Sequence, residues 1–163
     1  MRKPTLVFLA LTATLLLTGP PAHAAGQVNV QWLAPEKFSD AGRNELDRAA
    51  TLQSLTQHLQ SLGRYLPDAQ LLHIEVSDLD LAGELLPLGM QDLRVLRGGA
   101  DWPRMSLSYR LESQGRTLSK AQIHLSDMGY MRFMGFNAGG KAGELAYEKR
   151  MLERWIRSEF GAR

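Results

Sequence analysis

Three stretches of this chain put an apolar residue at every second position, and that parity constrains the fold more than any other feature. Leu72, Ile74 and Val76 alternate with His73, Glu75 and Ser77. Met105, Leu107, Tyr109 and Leu111 alternate with Ser106, Ser108 and Arg110, and Ala121, Ile123 and Leu125 repeat the rule within 117–126. A period of two belongs to a strand with one covered face and one wet face. Val28, Val30 and Trp32 alternate with Asn29 and Gln31, which adds a strand over 28–33 that Pro35 ends. Gln114-Gly115 is a turn signal joining 104–112 and 117–126 into an antiparallel hairpin. A further short strand is expected over 92–96.

Between the first two strands the period changes. Leu52, Leu55, Leu59, Leu62 and Leu66 recur at steps of three and four, which predicts an amphipathic helix over 44–66. Asn44 caps its start and Pro67-Asp68 closes its end. A second helix is expected from about Gly143 to Phe160. Leu145, Leu152, Ile156 and Phe160 share its inner face, while Glu148, Lys149, Glu153, Arg154 and Arg157 are expected to face water. The order is β-α-β-β-β-β-α. It predicts one α+β domain: a mixed, mostly antiparallel sheet of four to five strands with both helices on one face. The helical crossover makes the first two long strands parallel.

The parity breaks at two places, and both carry acids. Continuing the rhythm of Leu72, Ile74 and Val76 would drive Asp78 and Asp80 into the core and push Leu79 and Leu81 into water. An unpaired buried carboxylate is costly, so the strand must bulge, turn or end near Ser77. In the same way Ile123 and Leu125 are followed in parity by Asp127. Asp78, Asp80, Glu84 and Asp127 are therefore candidate ligands for a hard cation, and in a hydrolytic version one carboxylate would act as base. The commoner role for such acids is different: turn residues bonding backbone amides, or ion-pair partners of Arg94, Arg97 or Arg104, and that reading outweighs the cation site. Gly135 to Ala142 approaches the phosphate-binding loop but lacks its terminal hydroxyl residue. It reads as a loop in which Lys141 is a candidate anion contact. His73, Glu75 and His124 form a surface metal site only if their strands are neighbours. The Met and aromatic segment 128–136 is a partner surface if exposed and a floor beneath the Gly-rich loop if buried. No nucleophile–base signature and no cofactor motif occurs.

Residues 1–24 have the form of a cleaved bacterial signal peptide: Arg2-Lys3, an apolar run over 5–18, then Gly19-Pro20-Pro21 and Ala22-x-Ala24. The run is short for a membrane span, so no spanning segment is expected after cleavage. Arg2 and Lys3 leave with it, and two fewer of the 19 Lys+Arg gives 17, equal to the 17 Asp+Glu. A mature domain without excess positive charge has no electrostatic basis for binding nucleic acid. The chain has no cysteine, which excludes disulfides, thiolate metal sites and a thiol nucleophile.

Four segments resemble a known family. They are His73 through Glu84, Asp101-Trp102-Pro103-Arg104, Leu125-Ser126-Asp127-Met128-x-Tyr130, and Tyr147-Glu148-Lys149-Arg150-Met151-Leu152-x-x-Trp155. Together with Val30 to Asp40 they resemble the exported bacterial family known as domain of unknown function 3016. The resemblance covers nearly all of the mature chain. It implies a periplasmic or secreted bacterial protein and carries over no catalytic residue. The sequence leans toward a non-catalytic module that binds an envelope protein or a small ligand, with Asp78, Asp80, Glu84, Arg104, Asp127 and Lys141 as candidate contacts. The competing expectation is a metal-dependent hydrolytic protein centred on Asp78, Asp80 and Asp127.

Overall fold

The structure, a computed structural model, describes residues 26–88, 91–133 and 145–161. The chain runs β1 (Gln27–Trp32), α1 (Glu45–Ser61), β2 (Gln70–Asp80), β3 (Glu84–Leu88), β4 (Gln91–Val95), β5 (Arg104–Ser113), β6 (Arg116–Ser126) and α2 (Ala146–Phe160). Four strands form one sheet in the order β1-β2-β5-β6. β1 is parallel to β2, as the crossover through α1 requires, and the two other pairings are antiparallel. The domain is α+β, with a separate small sheet of β3 and β4.

Local chemistry accounts for these elements. The Asn44 side chain accepts the Asp47 N–H at 3.0 Å, so α1 begins at the expected cap. Its leucine stripe is buried at Leu55 and Leu59 and continues through Leu62 and Leu66, which lie in and just after a 3₁₀ turn over Leu62–Tyr65. β5 and β6 meet at Gln114 and Gly115, whose φ angles of 49° and 73° are both left-handed, as a two-residue primed turn demands.

Both helices cover the same face. Leu72, Ile74 and Val76 of β2 and Leu107, Tyr109 and Leu111 of β5 join residues of α1 and α2 in one core. Phe160 of α2 packs edge-on against Tyr109 and Trp155 packs tilted against it, with ring centroids 5.2 and 5.8 Å away. The Trp32 indole donates to Thr56 Oγ1 of α1 at 3.0 Å. Ala121, expected to face inward, pairs with Tyr109 on this side but stays exposed, because it sits on the edge strand.

Two expectations are corrected. The strand near 92–96 does not join the main sheet; as β4 it pairs with β3 alone. β3 has no alternation to mark it, and Pro87 within it suits a short two-stranded ribbon better than a central strand. Glu148, expected on the wet side of α2, is only 2% exposed. Its spacing to Leu145, Leu152 and Trp155 places it on the apolar stripe.

Candidate functional site

The bulge that the acids of β2 demand is present. Val76 pairs with Leu107 and Asp78 with Ser106, so Ser77 is the extra residue and the parity reverses after it. Leu79 and Leu81 are buried as a result, and Asp78 and Asp80 turn away from the core.

Each acid then meets its own partner. Asp78 accepts the Ser39 N–H at 2.8 Å and the Ser39 hydroxyl at 2.9 Å, closing the loop between β1 and α1. Asp80 pairs with Arg104 at 2.7 Å, and Glu84 lies 3.3 Å from Arg97. Asp127, 5% exposed, is held by Arg150 at 3.1 Å and Arg154 at 3.2 Å, and Arg150 also donates to the Tyr130 carbonyl. Among the described residues no group of three or more His, Asp or Glu side chains is placed to hold a metal ion. The acids thus take the ion-pair and turn roles, and the cluster Asp78, Asp80 and Asp127 does not converge on a cation. Lys141 and the Gly-rich loop over 135–143 lie outside the described residues.

Among the described residues neither helix covers the opposite face, and strand register writes its composition. One row across the four strands is Asn29, His73, Arg110 and Lys120; the next is Gln31, Glu75, Ser108 and Gln122. These eight residues line a groove of about 850 Å³. The first row sets Arg110 directly between His73 and Lys120, an unfavourable cross-strand arrangement of basic groups. Glu112 offsets it, lying 3.3 Å from both His73 Nε2 and Arg110. In the second row Ser108 donates to Glu75 at 3.3 Å. The groove thus presents amides, a hydroxyl and charges of both signs, a hydrogen-bonding surface without an aromatic platform.

A third row on this face holds Asp78, Ser106 and His124. Ser106 Oγ and His124 Nδ1 share a hydrogen bond of 2.9 Å. A nucleophilic triad needs its carboxylate on the imidazole. Here Asp78 lies on the far side of Ser106 and is engaged by Ser39, so Asp78 does not supply the orienting link. His73 and His124 belong to β2 and β6, which β5 separates, and the surface metal site is not formed.

Of the Met and aromatic segment, Tyr130 is buried and Met128 is 70% exposed, while residues 134–136 lie outside the described residues. Tyr130 receives the Gly98 N–H at 3.1 Å and stacks edge-on with Tyr147, so it fixes a loop to α2.

A second concavity of about 460 Å³ lies between α1, the β2–β3 turn, β4 and the start of α2. Leu81, Leu85, Leu96 and Leu145 supply apolar walls, and Arg94 and Glu148 line it too. Glu148 accepts the Ala82 N–H at 2.8 Å, and burial pushes its carboxyl pKa up. Parity pointed to the bulge, but the rows of the bare face needed the register, which the alternation alone leaves free.

An α+β domain whose two helices share one face of the sheet and leave its hydrophilic face uncovered is the class these features define. Residues 26–158 match the family described as "Protein of unknown function (DUF3016)", and the chain belongs to that family. A comparison with curated proteins returns no match.

Proposed function

We propose that this chain is a non-catalytic binding module of the bacterial envelope, periplasmic or secreted, and that the open face of its sheet meets the ligand. One observation carries the reading: a groove of about 850 Å³ runs over a face that both helices leave uncovered, and every outward side chain in its two rows is polar. Such a lining suits a hydroxyl- and amide-bearing ligand, a saccharide of the envelope, because Asn29, Gln31 and Gln122 each offer both donor and acceptor groups. The signal-peptide form of residues 1–24 supports the location. Among the described residues no helix is long and apolar enough to cross a membrane.

Calorimetric titration with a panel of envelope oligosaccharides, including a β-1,4-linked N-acetylglucosamine tetramer, tests the reading. Binding is expected, and Glu75→Ala combined with Ser108→Ala and Gln122→Ala abolishes it. Glu75 and Gln122 are exposed and Ser108 is half-buried, so the two exposed substitutions each shift stability by no more than about 0.5 kcal/mol. A panel without a binder, or binding indifferent to the three substitutions, contradicts it. Cell fractionation tests the location: the chain is expected outside the cytoplasm and shortened by residues 1–24.

A further inference from the structure

Asp127 and Glu148 are the two buried carboxyls among the described residues, and only one is neutralised. Asp127 has two arginines at ion-pair distance. Glu148, more deeply buried, has no described cation within that distance, and its side chain is met by backbone N–H groups instead, that of Ala82 at 2.8 Å and its own. The guanidinium that shares its pocket is already committed. Arg94 pairs with Asp40 at 2.8 Å and donates to the carbonyls of Ala82 and Gly83 at 3.2 and 3.1 Å. Arg43, also in the lining, pairs with Asp47 at 2.7 Å.

A buried carboxylate without a counter-charge is costly, and such groups concentrate where a ligand completes the site. Here the carboxyl lines a concavity of about 460 Å³ walled by Leu81, Leu85, Leu96 and Leu145. That volume falls in the range of small-molecule sites, and apolar walls with few convergent polar groups are their usual form. We propose that this pocket binds a small ligand with an apolar body and an ammonium group, the body against the leucines and the ammonium on Glu148. An anion would meet Glu148 and a guanidinium already saturated. A purely apolar ligand would bury the carboxyl further without neutralising it. The pocket shares no lining residue with the sheet groove, so the inference stands apart from the saccharide reading.

Thermal melts of the protein with millimolar cyclohexylamine, cyclohexanol or cyclohexanecarboxylate test it, since a ligand of the native state raises the melting temperature with its concentration. The amine is expected to raise the melting temperature and the alcohol and carboxylate to leave it unchanged. Glu148→Gln keeps an acceptor for the Ala82 N–H and should weaken amine binding at least tenfold. Leu85→Trp, which fills the pocket and leaves the carboxyl in place, should remove the amine effect as well. Equal shifts with all three compounds, no shift with any, or an amine shift that survives Glu148→Gln would overturn the proposal.

Discussion

Asp127 and Glu148 offset the cost of burying a carboxyl in opposite ways. Asp127 keeps its charge and draws Arg150 and Arg154 from α2 over the end of β6. Both arginines reach water at their far sides, so removing the acid does not strand a buried cation. Asp127→Ala should therefore cost about 1.5–3 kcal/mol, the range for charge-assisted hydrogen bonds, rather than the larger cost of a fully buried pair. Urea denaturation reads this directly. Glu148 lacks such a partner; burial raises its pKa, the N–H groups of Ala82 and of Glu148 itself and then Arg94 draw it back in part, and Asp40 adds to the rise. A raised folded-state pKa means that the native state binds the proton more tightly than the unfolded chain. Its contribution is complete below the unfolded pKa and is lost as pH rises through the folded one. Relative to Glu148→Gln, the protein should lose stability as pH climbs from 4 toward neutrality. The difference between the two chains isolates this group from Glu153, whose pKa the Tyr65 hydroxyl holds down and whose effect has the opposite sign. A difference that stays constant across that range would contradict the assignment.

At the level of elements, the bulge at Ser77 links sequence and fold most directly. The pattern Leu-x-Ile-x-Val followed by Asp-Leu-Asp-Leu is two correct strand rhythms separated by one extra residue, and the pairing inserts that residue at Ser77. Deleting Ser77 should leave both rhythms in phase, so the chain folds and loses mainly the Ser77 hydroxyl bond to the Ser106 carbonyl, on the order of 1 kcal/mol. Deleting Ile74 instead turns the stretch before it inside out and should prevent folding; equal tolerance of the two deletions would disprove the account. The long strands, the Asn44 cap of α1 and the bulge were legible because they depend on neighbours in sequence. The β3–β4 ribbon was not, since β3 has neither alternation nor β-branched residues. The partners of the acids were hidden for another reason: Ser39 meets Asp78 and Ala82 meets Glu148 across 39 and 66 residues, and only the folded register chooses among the available arginines and amides. Glu148 was readable in principle, from its place on the stripe of Leu145, Leu152 and Trp155, but an acid there conflicts with the ordinary polarity of a helix face.

For the whole molecule, the arrangement of layers carries the functional argument. Among the described residues both helices lie on one face and leave the other uncovered, which antiparallel sheets tolerate when their outward residues are polar. Among the described residues the exposed large apolar ones are Leu33, Leu46, Leu93, Leu118 and Met128, and none of them lines the groove, so its hydrogen-bonding groups are the basis for recognition there. The direct measurement is amide chemical-shift mapping of the ¹⁵N-labelled protein during titration with the N-acetylglucosamine tetramer and the other envelope oligosaccharides. The account predicts that the perturbed amides lie along the four strands around Asn29, His73, Ser108 and Gln122, with α1 and α2 unchanged. Perturbations confined to the helices, or none with any saccharide, would contradict the claim that the open sheet face is where this protein binds.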